Sequence, residues 1–232
     1  MRAEPDDSPA RQALERGVVT VDVVSDVVCP WCFLGKRRLE AAIAQSGEPV
    51  DIRWRPFQLD PTIPPAGLDR GAYVSAKFGS LAALDAAHEK LSASGAEEGI
   101  AFAFDRIARA PNTIDAHRLI RWALSADLQD AVVEALFQAY FVEGRDIGDR
   151  KMLVGLAEAA GMDATLVHRL LASGADEADV RDEIATAVRL GVSGVPFFIF
   201  AGRYAVPGAQ TAEVLAAAIA KARSEGPMRE GA

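Results

Sequence analysis

Strand signal sits at the two ends of this chain and is nearly absent between them. Residues 18–24 (VVTVDVV) are apolar and β-branched, the pattern of a buried strand. Residues 50–57 (VDIRWRPF) alternate apolar and polar at a period of two. Residues 196–200 (PFFIF) are again β-prone, with Ala201-Gly202 as a two-residue turn and 203–206 as the partner strand. From 69 to 190 the sequence is Ala- and Leu-rich with helical spacing. The strands of the two ends can form one small sheet covered by helices, with the helical block inserted between its halves.

The helices follow from periodicity and punctuation. Pro30 suits the first position of a helix, Leu34, Leu39, Ala42 and Ile43 form its apolar stripe, and Lys36, Arg37, Arg38 and Glu40 take the polar side. Gly47 and Pro49 end it. In the block, Val132, Val133, Leu136, Phe137, Tyr140 and Phe141 make a face that must pack on something, and Gly144, Gly161 and Gly174 are helix stops. Five to seven helices are expected there. Asn112, three residues before Asp115, reads as an N-cap with an acidic first turn. Residues 209–223 read as a final amphipathic helix, 1–16 as a frayed arm, and the tail beyond Gly226 as loose. The expected organisation is an arm (1–16), a sheet domain in two pieces (17–67 and 191–225) and an inserted helical domain (68–190).

Composition excludes several roles. An apolar fraction of 50% and a charged fraction of 25% suit a folded domain. A net charge of −8 and a pI near 5.0 leave no basic surplus to neutralise phosphates, so neither nucleic acid nor membrane is an expected partner. The first residues lack the cationic start and apolar run of a signal peptide, and no apolar stretch is long enough to span a bilayer. A cytoplasmic protein is expected, and in a reducing compartment a permanent structural disulfide is improbable.

That makes the cysteines informative. The chain has two, Cys29 and Cys32, both in VVCPWC at a strand-to-helix junction. At such a cap, unpaired backbone N–H groups and the helix dipole favour a thiolate, with pKa values of about 3.5 to 7.5. Cys32 lies one helical turn on, where it can attack a mixed disulfide formed on Cys29. Of the residues between them, Pro30 lacks an N–H that would be orphaned anyway, and Trp31 adds no cation; both are candidates to touch substrate. Buried core cysteines are the bland alternative. A zinc site wants four ligands, and His88, His117 and His168 show no paired spacing, so no metal is expected. Gly194-Val195-Pro196-Phe197 is the second signal. Pro196 could simply open an edge strand. Beside a dithiol, a cis Val195-Pro196 bond would instead expose the Val195 backbone to pair with an extended substrate.

VVCPWC, GVPFFIF and the β-α-β, helical block, β-β-α order resemble the DsbA-like branch of the thioredoxin superfamily. Within it, SDVVCPWCFLGKRRLE, WRPFQLDP, FDRIARAPNTIDAHRLI, ALFQAYFVEGRDI and PGAQT are similar to the FrnE-type oxidoreductases. The resemblance implies an α/β thioredoxin fold with a large all-helical insertion, Cys29 as nucleophile, Cys32 as resolving thiol and Pro196 as the cis-proline. Some relatives carry another cysteine pair toward the C-terminus; none follows Cys32 here, so electrons are expected to move to or from an external reductant or oxidant. Pro207 stands where many relatives have Ser. The chain is more distantly similar to 2-hydroxychromene-2-carboxylate isomerases and kappa-class glutathione transferases, in which Ser typically matches Cys29.

Three functions are weighed. The first is a thiol–disulfide oxidoreductase or isomerase acting on disulfide-containing proteins or small thiols. The second is a glutathione-dependent isomerase or transferase, and the third a redox-gated binder. No tightly bound cofactor is expected, with glutathione as a possible co-substrate. Remaining candidates are ambiguous. Asn112, Asp115, His117 and Arg118 are the start of a capped helix with a surface ion pair, or, as the resemblance suggests, that helix turns Asn112 and His117 toward the dithiol. Asp26, with Ser25 before it, is a proton acceptor for Cys32 if buried, otherwise loop polarity. Gly208, Ala209 and Gln210 open the last helix and bind an anion through backbone N–H groups, or form an ordinary turn. Trp54 and Phe57 are expected in the core.

Overall fold

A computed structural model describes residues 9–80 and 82–225. The chain begins with α1 (Pro9–Glu15), β1 (Val19–Ser25), α2 (Pro30–Ser46) and β2 (Val50–Pro56). A two-residue ladder of β3 (Leu68–Asp69) and β4 (Arg109–Ala110) follows, together with α3 (Arg70–Phe78), α4 (Ala82–Glu97), α5 (Ile114–Ala123) and α6 (Gln129–Phe137). Next come α7 (Arg150–Ala159), α8 (Ala164–Ser173) and α9 (Glu177–Arg189), then β5 (Phe197–Phe200), β6 (Tyr204–Pro207) and α10 (Ala212–Ser224). Among the described residues seven α-helices thus separate β2 from β5, the upper end of the expected range.

The sheet has the order β2-β1-β5-β6. β1 pairs parallel with β2, Val19 opposite Val50, and antiparallel with β5, Val24 opposite Phe197. A central strand covered on both faces is rich in apolar residues, and β1 has Val19, Val21, Val23 and Val24; it also holds Asp22, whose carboxylate accepts from Arg55 at 2.6 Å. Val19, Val21 and Val23 are buried in one cluster with Leu39 and Ala42 of α2 and Leu215 and Ile219 of α10. Val24 packs on the other face with Ala187 of α9 and Val192 in the loop after it. Each such valine contributes on the order of 1.5–3 kcal/mol.

The two halves are tied by α2. Phe33 stacks on Phe137 at 5.0 Å and meets Phe102 edge-on at 5.9 Å. Lys36, expected on a polar face, is 2% exposed. The face it occupies is covered by α6, and burial is tolerated because three carboxylates receive the ammonium. Lys36 Nζ donates to Asp130 Oδ2 at 3.0 Å and lies 3.2 Å from Glu134 Oε2, with Glu40 as a third partner. Burial alone would lower its pKa, but these charges outweigh it and raise it. Glu134, which also accepts from Arg37, is held below its ordinary value despite its own desolvation. Gln129 finishes the join by acting as a substitute strand at the β2 edge: its Oε1 accepts from Trp54 N–H at 3.1 Å, and its Nε2 donates to Trp54 O at 3.4 Å.

Four expectations change. The arm is not frayed over its described part, since α1 buries Ala13 and Leu14 against β1; residues 1–8 and the tail beyond Gly226 lie outside the described residues. Thr113, not Asn112, is the cap residue of α5, and Arg118, paired with Asp115 at 2.6 Å, is fully buried rather than at the surface. It caps α8, donating to Leu170 O at 2.6 Å and Ala175 O at 2.6 Å. The final helix begins at Ala212, leaving 208–210 in a turn.

Lys36→Ala is expected to cost roughly 2–4 kcal/mol in urea unfolding, because it strands carboxylates designed around a cation. Glu134 has a depressed folded pKa, so its contribution is present at neutral pH and fades as pH falls below about 4.3 toward the folded value. The variant should therefore lose its deficit progressively in acid.

Candidate active site: a buried dithiol beside a cis proline

β1 ends at Ser25, and a turn closed by Cys29 N–H donating to Asp26 O at 2.9 Å carries the chain into α2. Cys29 is the cap residue, in extended conformation (φ −94°, ψ 112°), with Pro30 in the first turn. Its side chain makes no capping hydrogen bond. Instead Sγ lies 3.6 Å from Val195 O, so the sulfur faces the opposite loop as a thiol donor rather than the helix amides the sequence suggests. The Val195-Pro196 peptide is cis. Pro196 O accepts from Gly208 N–H at 2.8 Å.

The two thiols, both free, differ in access. Cys29 is 3% exposed and lines a cleft; Cys32 is 1% exposed and does not. The Cys32 pKa is raised well above the usual thiol value, first by burial, then by a hydrogen bond to Cys29 and by its charge. The Ser25 hydroxyl and the Asp26 backbone act in the opposite direction. Ser25 Oγ has no hydrogen-bond partner of good geometry, but its dipole still favours a Cys32 thiolate.

The cleft encloses about 490 Å³. Cys29, Pro30, Trp31 and Val195 form one side; Trp31 is 44% exposed at its rim. α3 and α4 form the other, supplying Arg70, Tyr73, Lys77 and His88, and Tyr140 closes the inner end. Lys77 and Tyr73 both donate to Asp60 Oδ2, at 2.7 and 3.1 Å; with the Lys77 hydrogen bond first and Thr62 next, the Asp60 carboxyl stays far below the usual carboxylate range. Burial pushes Tyr140 up to about 12, and its hydroxyl donates to Arg109 O at 3.1 Å. Among the described residues Arg70 has no carboxylate partner. Sequence reasoning missed this wall. Its residues lie on helices whose periodicity reveals only helicity; the one usable signal was Tyr73 and Lys77 at a spacing of four, on one helix face.

Several candidates fall outside the cleft. Asn112 Nδ2 donates to Ile63 O at 2.6 Å and Oδ1 accepts from Ile114 N–H at 3.0 Å, so both ends of its amide hold the loop before α5. His117 is buried behind the sheet end, with Nε2 2.9 Å from Phe57 O. Gly208 and Gln210 do not offer amides to an anion, because Gly208 N–H is taken by Pro196 O and Gln210 N–H by Gly208 O at 2.9 Å. Asp26 touches the cleft, but its carboxylate is directed to Leu59 N–H (2.8 Å) and His117, and what it gives Cys32 is its backbone. Among the described residues no cluster of three metal-ligating side chains forms, and no helix is long and apolar enough to cross a membrane. A second groove, of about 480 Å³ between α9 and the sheet, reaches neither cysteine.

A free-dithiol Cys-x-x-Cys at a helix cap, facing a cis-proline loop across a four-stranded sheet with a helical insertion, defines a thioredoxin-fold thiol protein. More narrowly, the chain belongs to the family of the DSBA-like thioredoxin domain, whose model matches residues 20–220. It is 34% identical to the probable DsbA oxidoreductase SCO1869 from Streptomyces coelicolor, with a TM-score of 0.82 over 92% of this chain and 94% of that one. It is 31% identical to YwbO of Bacillus subtilis (strain 168), over 87% of this chain and 96% of that protein. The cytosolic disulfide reductase DsbM from Pseudomonas aeruginosa, solved with GSH, shares the fold at 22% identity and a TM-score of 0.59, over 88% of this chain and 96% of that one.

Gly35 is a further residue that periodicity passed over. A Cβ there would lie 2.9 Å from Pro196 Cγ and 3.2 Å from Phe198 Cζ. Gly35→Ala should therefore push α2 off the proline loop, costing about 1–3 kcal/mol in chemical unfolding and slowing reaction of Cys29 with a disulfide.

Proposed function

We propose that this protein is a thiol–disulfide oxidoreductase that works through a mixed disulfide on Cys29. The observation that carries the reading is the unequal placement of two neighbouring thiols: Cys29 at the wall of a cleft and Cys32 sealed behind it. Cys29 sulfur attacks one sulfur of a substrate disulfide, forming Cys29–S–S–R and releasing the other half as a thiolate. Cys32 then attacks the Cys29 sulfur, forming the internal disulfide and releasing RS⁻. Two electrons pass from the dithiol to the substrate, and an external thiol returns them; run backward, the same steps oxidise a dithiol.

The raised pKa of Cys32 helps order the steps. Two of its causes, the hydrogen bond to Cys29 and the Cys29 charge, disappear once Cys29 is in a mixed disulfide, so Cys32 becomes easier to ionise when it is needed. Pro30, Trp31 and Val195 line the cleft beside Cys29, where the Val195 backbone can pair with an extended substrate. Arg70, in the same cleft and without a carboxylate partner among the described residues, suits an acidic small thiol, which favours glutathione as co-substrate. A cytoplasmic location fits a reducing enzyme with one dithiol. The isomerase or transferase alternative has no use for Cys32, and its sealed position next to Cys29 argues for exchange.

Cys29→Ser should abolish disulfide reduction. Cys32→Ser should keep the first attack and accumulate Cys29-linked adducts, visible by mass spectrometry. Full activity in Cys32→Ser would favour the transferase reading instead. With Trp31 supplying no cation, equilibration with glutathione should give a potential between about −270 and about −120 mV, toward the reducing end; a value at the oxidising limit would overturn that assignment.

A further inference from the structure

Cys29 is buried, so whatever reaches its sulfur must enter the cleft between the start of α2 and the α3–α4 wall. A space of about 490 Å³ holds a small molecule or one extended chain. A disulfide on a folded protein brings neighbouring chain segments with it and needs more room. The position of the far wall therefore decides which disulfides meet the thiol.

Packing holds α3 lightly. Of its nine residues only Val74 is buried, and Phe78 is exposed where the helix borders the cleft. The helix starts from the two-residue β3–β4 ladder, where Arg70 N–H donates to Ala108 O at 3.0 Å. Gly67 and Gly79 flank the segment at φ 67° and 87°, in the region that favours glycine. A polar clasp fixes the middle of α3 instead. Lys77 Nζ donates to Asp60 Oδ2 at 2.7 Å and to the Tyr73 hydroxyl at 2.9 Å, and that hydroxyl donates to the same Oδ2 at 3.1 Å. Thr62 orients the carboxylate from its other side, its N–H donating to Asp60 Oδ1 at 3.1 Å and its hydroxyl at 2.5 Å. The Asp60 side chain is 15% exposed, which shields the clasp from the screening that weakens surface pairs. One residue earlier, Leu59 N–H donates to Asp26 Oδ2 at 2.8 Å, and Asp26 belongs to the turn that leads into Cys29. Leu59 and Asp60 thus tie the near wall of the cleft to the far one.

We infer that the clasp of Asp60 with Lys77 and Tyr73 selects substrates by size. Closed, it holds α3 at the spacing that admits small or extended disulfides; released, it lets α3 swing about its flanking glycines and admit a disulfide on a folded protein. Asp60 touches no reacting atom and is a positioning residue that acts through α3. The inference rests on the exchange reading and adds to it which disulfides reach Cys29.

Two disulfides with one leaving group test this in a stopped-flow instrument. One is 2,2′-dithiodipyridine, small and uncharged; the other is ubiquitin carrying a single surface cysteine activated as its 2-thiopyridyl disulfide. With each, Cys29 sulfur forms a new S–S bond, the old one breaks, and 2-thiopyridone leaves with the electron pair and is read by absorbance. Asp60→Ala and Lys77→Met should each raise the rate with activated ubiquitin about five-fold relative to that with dithiodipyridine. The first substitution removes a negative charge and the second a positive one, so a shift of the same sign in both reports the clasp and not the charge of the cleft. Lys77→Arg keeps a donor to Asp60 and should hold the wild-type ratio. With Cys29→Ser added, Cys32 should resist iodoacetamide equally with and without the clasp substitutions. A ratio unchanged in both variants, or shifted in opposite directions, overturns the clasp while leaving exchange intact. A Cys32 exposed by the same substitutions assigns the shift to general loosening and also overturns it. Failure of the wild type to release 2-thiopyridone from dithiodipyridine overturns exchange, and size selection with it.

Discussion

The approach of α2 to the Val195-Pro196 loop, where a glycine at 35 lets backbone meet ring, sets the spacing on which the site depends. The loop is held from its other side by Gly208 N–H on Pro196 O, and α2 is held by Phe33 on Phe137 and by Lys36 among carboxylates. A helix carrying a cysteine at its cap needs such support, because its dipole and cap amides act only over the first few ångströms. Here the insertion supplies it. The inserted helices are therefore part of the site's scaffold as well as the far wall of the cleft.

Within that scaffold the chemistry divides by access. Cys29 meets the cleft; Cys32 meets only the protein interior. Burial raises the cost of ionising Cys32. Beneath β1's end, Ser25 Oγ and Asp26 Oδ1 are buried oxygens without a hydrogen-bond partner among the described residues, and such groups are costly to keep for structure alone.

What could be read in advance followed local rules. The VVTVDVV run had to be a doubly covered strand, Pro30 had to start a helix, and the helical stretch between the strand pairs had to be an insertion. The dithiol and the proline loop were visible because each is a compact motif. Asn112, His117, Gly208 and Gln210 were misplaced as substrate-facing because direction, not identity, decided them. Asn112's amide was claimed by Ile63 O, Gly208's N–H by Pro196 O, and His117 by Phe57 O. Lys36 and Arg118 read as surface charges, yet both are buried, since long side chains are interior wherever a second helix brings acceptors to meet them.

By itself the sequence determined the order of elements, the Cys-Pro-Trp-Cys at a strand-to-helix junction and the insertion between strand pairs, because periodicity, proline and glycine act over a few neighbouring residues. Only the tertiary structure decided which cysteine meets the cleft, and that Arg70, Tyr73, Lys77 and His88 face it. Those relations join residues far apart in the chain, and burial and hydrogen-bond partners exist only once the segments have packed.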